Sequence, residues 1–133
     1  MWAVIGKGKS PDSFGSFEAL EVLGWYDGPR TFTLFDIDGG LCLAHWLDED
    51  CETRRFAVVP VTEKWIARLK IGELSLLDIL EQPRVYVADL GNSGSVVAVW
   101  LTRFSDLPQD ALPVPGTMLY PDLNPNSALQ PVR

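Results

Sequence analysis

The chain has 133 residues, 47% of them hydrophobic and 22% charged, a balance typical of one packed domain rather than a disordered segment. With 11 Lys and Arg against 18 Asp and Glu, its formal charge is −7. That charge would repel a phosphate backbone, so nucleic acid is not an expected ligand. The sequence also lacks a signal-type leader and any apolar run of about 18 residues, which predicts a cytoplasmic protein with no membrane contact.

The distribution of turn-forming and apolar residues predicts three segments. Residues 1–17 form a lead-in of small and polar residues with isolated aromatics, and residues 18–104 form a single α+β domain. Residues 105–133 contain six prolines, which exclude a regular helix or a central strand. We expect that last segment to be an extended, Pro-rich tail.

The first half of the domain reads as strands joined by turns. A strand over 18–26 precedes the turn "DGPR", and β-branched and aromatic residues fill 31–37 and 41–47. Only Asp38, Gly39 and Gly40 separate these two runs, which predicts a hairpin with a type I′ turn. The acidic sequence "DEDCE" then forms a loop, and "TRRFAVVPV" returns as the fourth strand.

The two cysteines and the single histidine lie around this acidic loop. Pairing across the loop places Cys42 opposite Ala57, several residues along the strand from Cys51, so no disulfide is expected. Cys42 and His45 are three apart on a strand and should face opposite sides of the sheet, which argues against a shared zinc site. We therefore expect His45 to pack against or hydrogen-bond to a cross-strand neighbour.

A helix is predicted over residues 63–70. Thr62 can cap its N-terminus, and Trp65, Ile66 and Leu69 share its apolar face.

A second helix is predicted over residues 76–82. Gly72 separates it from the first, Ser75 and Asp78 have the spacing of a capping box, and Pro83 stops it. A second hairpin then turns at "GNSG". The predicted fold is an α+β domain with an antiparallel sheet of about five or six strands, and with two short helices on one face, inserted between strands four and five.

The sequence "FDIDGG" resembles the first motif of the haloacid dehalogenase phosphotransferases, in which two aspartates handle phosphate beside Mg²⁺. That chemistry needs a parallel sheet and a crevice at the end of a strand. Here the chain is expected to turn straight back into a strand, and Gly40 stands where the motif has Thr. The turn interpretation of Asp36 and Asp38 is therefore favoured, and a metal-dependent phosphate-handling enzyme is kept as an alternative.

Acidic and aromatic side chains supply the candidate partner-binding residues. Carboxylates at the acidic loop, joined by Asp27, Asp36 and Asp38 at neighbouring turns, would make one edge strongly negative. Aromatic residues, Trp65 and Trp100 among them, exceed what a small core easily hides. The predicted partner-binding residues are Asp48, Glu49, Asp50, Glu52, Trp25, Tyr26 and Trp46.

The order of the parts "WYDGPRTF", "GGLCLAHWLDED" and "VPVTEKWIARLKIGELSLLDIL", followed by a final hairpin, resembles a family of small bacterial proteins catalogued only as a domain of unknown function. The resemblance covers roughly residues 20–104. It implies the fold and carries no catalytic residue, cofactor or partner to this chain.

Binding is the function that these features favour. The expectation is a small bacterial adaptor or accessory protein that recognises another protein without catalysis, metal or cofactor. Two alternatives remain open: the phosphate-handling enzyme at Asp36 and Asp38, and an acidic inhibitor that imitates nucleic acid.

Overall fold

A computed structural model of the chain describes residues 14, 17–25, 29–108, 110 and 112–113. Most of the predicted lead-in, the turn at 26–28 and the tail from residue 114 lie outside the described residues. Within them the chain forms six strands and two α-helices, in the order β1 Glu21–Trp25, β2 Pro29–Phe35, β3 Leu41–Glu49, β4 Thr53–Pro60, α1 Glu63–Lys70, α2 Leu76–Leu80, β5 Val85–Gly91 and β6 Val96–Thr102.

The six strands form one antiparallel sheet in which each strand pairs with its neighbours in sequence, in the order β1-β2-β3-β4-β5-β6. The predicted α+β class with an antiparallel sheet is therefore confirmed. Because all connections between paired strands reverse the chain, the turns and the helix pair divide between the two ends of the sheet. The loop at 50–52 lies at one end, and the turn at 36–40 lies at the other.

Both tight hairpins use the same turn geometry. Gly39 and Gly94 have φ values of +85° and +83°, and each donates its N–H to the carbonyl three residues earlier. A type I′ turn would need positive φ at two consecutive central residues, and the structure has only one such residue in each turn. The type I′ prediction is therefore wrong, and β2 ends at Phe35 rather than at residue 37.

Helix α1 begins and ends with local hydrogen bonds. The Thr62 hydroxyl accepts from the N–H of Trp65 at 3.1 Å. At the other end Gly72 has a φ of +82°, and the Glu73 N–H donates to the Arg68 carbonyl at 2.9 Å, as in a Schellman cap. The predicted apolar face is wrong at Trp65, which is 38% exposed because it lies beside the buried stripe rather than in it.

Helix α2 carries the predicted capping box. The Ser75 hydroxyl accepts from the Asp78 N–H at 3.1 Å, and the Asp78 carboxylate accepts from the Ser75 N–H at 2.9 Å. Hydrogen bonds from Ser75 to its carboxylate lower the pKa of Asp78. The helix ends at Leu80, two residues before the predicted end.

The sheet is buried on both faces. Alternate residues of each strand point to opposite sides, and two separate clusters result. The helix face packs against α1 and α2 and includes Leu43, Ala57, Val59, Leu69 and Leu80. The aromatic face packs against Phe14 and Phe17 and includes Phe32, Leu34, Cys42, Phe56 and Val58.

The pairing of β3 with β4 corrects the expected position of Cys42. Cys42 lies opposite Pro60, and His45 lies opposite Ala57. The expected pairing centred the turn too early, because β3 continues to Glu49 and the loop covers only residues 50–52; the register shift between Trp46 and Asp48 reduces the difference by one residue. The prediction that no disulfide forms is confirmed, with Cys42 buried and Cys51 exposed.

Candidate functional site

The Asp36 side chain closes the turn between β2 and β3. Its Oδ1 accepts hydrogen bonds from the N–H groups of Asp38 at 2.9 Å and Gly40 at 2.7 Å. A Cβ atom at Gly40 would lie only 2.8 Å from Asp36 Oδ2, so the missing side chain lets the backbone approach the carboxylate. The chain then continues directly into β3, so the residues of the phosphotransferase-like motif form a hairpin turn.

His45 faces the opposite side of the sheet from Cys42, as predicted. Its Nδ1 is 2.8 Å from the Thr31 hydroxyl, and Thr31 is its cross-strand partner in β2. Burial lowers the pKa of His45 to about 4, because the imidazolium form would lose its hydration, and the ring is therefore neutral at neutral pH. In the described part of the chain, no three or more His, Cys, Asp or Glu side chains are grouped so that they could hold a metal ion.

Glu49, one of the predicted partner-binding residues, is held in a local stack. Its Oε1 accepts from Arg30 Nη1 at 2.8 Å and from the Trp46 indole Nε1 at 3.1 Å. The Arg30 guanidinium lies 4.4 Å from the centre of the Trp46 ring, within the range of a cation–π contact. The hydrogen bond from Arg30 lowers the pKa of Glu49. Three of the side chains at this end of the sheet thus contact one another.

Asp50 shapes the loop in which it lies. Its Oδ1 accepts from the N–H groups of Glu52 at 2.8 Å and Thr53 at 2.7 Å, and also from the Thr53 hydroxyl. Such contacts from an Asp side chain to the following backbone are typical of an Asx turn. They lower the pKa of Asp50.

The expectation that Asp36 and Asp38 join the acidic loop in one strongly negative edge is wrong. Asp36 and Asp38 lie at the opposite end of β3 from the acidic loop, and its nine residues span about 26 Å at about 3.3 Å per residue. In the β3–β4 pair, Asp48 lies opposite Arg55 and Glu49 opposite Arg54. The acidic loop is therefore interleaved with arginines. Tyr26, Asp27 and the side chain of Trp25 lie outside the described residues.

A groove runs between α1 and the edge of the sheet formed by β1 and β2. Its volume is about 370 Å³. One wall is formed by residues of α1 that are three or four apart and so share one side of the helix. The other wall is formed by the start of β1, the end of β2 and the start of β3, which lie at the same end of the sheet. The helix contributes Glu63, Ile66, Ala67 and Lys70, and the sheet contributes Leu20, Glu21, Thr33, Phe35 and Leu41.

Large apolar side chains stand at the mouth of this groove. Leu20 is 51% exposed and Phe35 is 50% exposed. Lys70 forms an ion pair with Glu21, which ties α1 to β1. Glu63 has no ion-pair partner among the described residues, so an unpaired carboxylate borders an apolar surface.

Sequence reasoning missed this groove. Phe35 is the last residue of an apolar strand and Leu20 precedes another, so their composition indicates core positions. Both residues are exposed because they line the open groove beside α1 and are not covered by the helix. Glu63, Ala67 and Lys70 are spaced so that they form a second stripe on α1, beside the buried one. That spacing is the only feature of the sequence that could have indicated the groove.

Comparisons of the chain with family models, curated proteins and solved structures found no match. The resemblance to a bacterial family of unknown function stays a prediction. Neither described helix has the length and apolar character that crossing a bilayer would require.

Proposed function

We propose that this chain is a protein-binding adaptor or accessory protein of the bacterial cytoplasm. The groove between α1 and the β1–β2 edge of the sheet, here called the α1–β2 groove, would hold an apolar segment of its partner. The proposal is carried by the half-exposed Leu20 and Phe35, which flank an already formed concave surface. Clustered large apolar groups at a cleft are a common feature of protein-binding sites. Two cysteines without a disulfide agree with a reducing compartment.

The charges at the groove favour a basic partner segment. Glu21 is neutralised by Lys70, which leaves Glu63 as the unbalanced charge among the ionisable groups that line the groove. The whole chain carries −7. A segment that presents one or two apolar side chains beside a Lys or Arg would therefore fit both the floor and the rim, and the long-range field would speed its approach.

Site-specific photo-crosslinking tests the groove. A photo-crosslinking phenylalanine analogue at position 35 should capture a specific protein in cells, and the same analogue at Ile71 should not. Ile71 is a matched control because it is 71% exposed and does not line the groove. Equal capture at both positions, or capture at neither, would contradict the proposal.

The purified partner then allows an affinity measurement. Phe35→Asp places a charge at the apolar mouth of the groove and should weaken binding by at least about tenfold, the effect of losing about 1.4 kcal/mol of contact. Glu63→Lys should weaken binding less than Phe35→Asp does, because it only adds repulsion toward a basic partner. Its effect should be larger at low salt, where charges are screened less. Wild-type affinity in Phe35→Asp would exclude the groove as the binding surface.

The acidic loop is the competing surface. If it binds the partner, reversal of Asp48, Glu49 and Asp50 to Lys abolishes capture; if the groove binds, capture persists. Because Asp50 shapes its own loop, Glu52→Lys is the control that reverses charge there and spares the side-chain contacts of the turn.

A further inference from the structure

A second and smaller pocket lies on the aromatic face of the sheet. Its volume is about 180 Å³. Phe32, Phe56 and Leu90 form its floor, and each of them is at most 5% exposed. Pockets for drug-sized ligands have volumes of about 300 Å³ or more, whereas a cavity of about 150 Å³ lined by Leu, Ile and Phe binds benzene. The space therefore fits a single ring rather than a peptide.

Phe17 forms an aromatic wall of this pocket. Its ring centre lies 5.6 Å from that of Phe32, edge to face, and 5.5 Å from that of Phe56 in a tilted arrangement. Phe17 has a φ of +55°, a left-handed conformation that a bulky residue rarely adopts, and its N–H donates to the Phe14 carbonyl at 3.0 Å. Strained backbone of this kind is concentrated at ligand-binding sites. A ligand ring would extend the same ring packing.

Arg54 is the one ionisable residue among the described residues that line the pocket. It lies two residues from Phe56 on β4 and opposite Leu90 on β5, so its side chain is on the aromatic face. The side chain is partly exposed and forms no ion pair with any other described residue. A guanidinium therefore borders an apolar, ring-lined space.

The charges around the pocket favour an anion, although the whole chain carries −7. At physiological salt, exposed charges farther apart than about 8 Å are largely screened, so the nearest charged groups decide. Among the described strand residues on the aromatic face, the charged ones are Arg30, Glu49 and Arg54, which leaves a local excess of positive charge. Glu49 lies opposite Arg54 in the sheet, but its Oε1 accepts hydrogen bonds from Arg30 and Trp46.

We infer that this pocket binds a small molecule with one ring-sized apolar part and one carboxylate, as in the aromatic carboxylates. The ring occupies the phenylalanine-lined space, and Arg54 donates two parallel hydrogen bonds to the carboxylate, whose shape matches the guanidinium. This goes beyond the proposed partner binding, because the α1–β2 groove lies against the helix face and this pocket lies on the other face of the sheet.

Titration of the isotope-labelled chain with phenylacetate, followed by NMR, tests the pocket. The amide signals of Phe17, Arg54 and Leu90 should shift and saturate, with a dissociation constant of about 1 mM or lower for one ring and one charged contact. Phenylacetamide has the same ring and nearly the same shape without the charge. It should bind at least about tenfold more weakly, because hydrogen bonds to a charged group are the stronger ones.

Variants of Arg54 assign the anion-binding group. Arg54→Gln should weaken phenylacetate binding by at least about tenfold and leave phenylacetamide binding unchanged. Arg54→Lys keeps the charge without the planar fork and should give an intermediate affinity. Arg84→Gln makes the same chemical change at an exposed arginine outside the pocket and should bind phenylacetate like the wild type.

Three results would overturn the inference: no saturable shift at the pocket, equal affinity for phenylacetate and phenylacetamide, or unchanged phenylacetate affinity in Arg54→Gln. The comparison of the two probes uses the wild type, so it decides the matter even where a variant does not fold. Phe35→Asp should bind phenylacetate like the wild type, so failure of the groove proposal is distinguishable from failure of this one.

Discussion

The two faces of the sheet are both buried, but they are filled by different chemistry. On the aromatic face Phe17, Phe32 and Phe56 contact one another with ring centres 5.4 to 5.6 Å apart. On the helix face, aliphatic residues surround buried polar groups, including Thr31, Asp89 and Thr102. The comparison indicates that the interior of the aromatic face is stabilised mainly by packing of rings, whereas the helix face also contains buried polar groups and the Arg55–Asp89 ion pair.

That ion pair joins β4 to β5. Arg55 Nε and Nη2 donate to the two oxygens of Asp89 at 2.7 and 2.9 Å, and the guanidinium lies 4.6 Å from the centre of the Trp100 ring. The hydrogen bonds to Asp89 raise the pKa of Arg55. The Trp100 indole nitrogen is buried and has no hydrogen-bond partner within the described structure. The helix face therefore contains specific polar geometry that a change of charge would disrupt.

The largest effect is expected on the aromatic face. Phe56 is 2% exposed, and Phe56→Ala should lower the free energy of unfolding by about 4 kcal/mol through lost burial and a residual cavity. Urea denaturation measures the loss, which should be the same at neutral and mildly acidic pH. Phe35→Ala, a matched change at a half-exposed position, should cost less than about 1 kcal/mol. A strongly pH-dependent loss at Phe56 would contradict the contrast between the faces.

The next effect is expected from Asp89→Asn on the helix face. The Asp89 side chain is 10% exposed and that of Arg55 30% exposed, so the variant leaves a partly buried guanidinium without its anion. We expect a loss of about 2 kcal/mol in the free energy of unfolding, below the range for fully buried pairs because Arg55 reaches water. Glu73→Gln removes the charge from the exposed pair with Arg68 and should cost at most about 1 kcal/mol. Equal losses of unfolding free energy in the two variants would show that the Arg55–Asp89 pair stabilises the fold no more than the exposed Arg68–Glu73 pair does.

A pH-dependent effect of similar size is expected at His45. Its pKa is 6.5 in the unfolded chain and about 4 in the fold, so its contribution is fully present above pH 6.5 and is lost as pH falls toward 4. Between about pH 7.5 and about pH 5, the wild type should lose about 2 kcal/mol more than His45→Gln, which keeps a hydrogen-bonding group without a titratable ring. Urea titrations of both proteins at each pH give this difference. The carboxylates titrate in both proteins, so their contribution to the pH dependence cancels. Identical pH profiles would mean that the folded and unfolded pKa values of His45 coincide.

The smallest effect concerns the helix pair that covers the helix face. Ser75→Ala removes one half of the capping box of α2 and should lower the free energy of unfolding by about 1 kcal/mol. Ser93→Ala, in the exposed turn between β5 and β6, should change it by less than about 0.5 kcal/mol. Thermal unfolding of both variants measures the two losses. Equal losses of unfolding free energy would mean that the capping box does not stabilise α2.

Local patterns predicted much of this fold because their causes lie within a few residues. Thr62 and the Ser75–Asp78 box cap their helices as expected. The hairpin at Gly39 forms because a glycine can adopt the positive φ that the turn requires. The side of the sheet occupied by His45 also followed from the two-residue period of a strand.

The candidate site was much less predictable. The sequence pointed to the acidic loop and to Trp46, and the structure shows Glu49 and Asp50 engaged in contacts within that end of the sheet. Whether they also bind a partner stays a prediction. The groove was not expected, because the exposure of Phe35 depends on which strands α1 covers, and no local pattern reports that placement.

The sequence by itself determined the succession of strands, turns and caps, since each arises from short-range sterics and hydrogen bonding. Only the tertiary structure decided the register of Cys42 opposite Pro60 and the opening beside α1. Bulges and helix packing set these features, and both depend on contacts between residues that are distant in sequence.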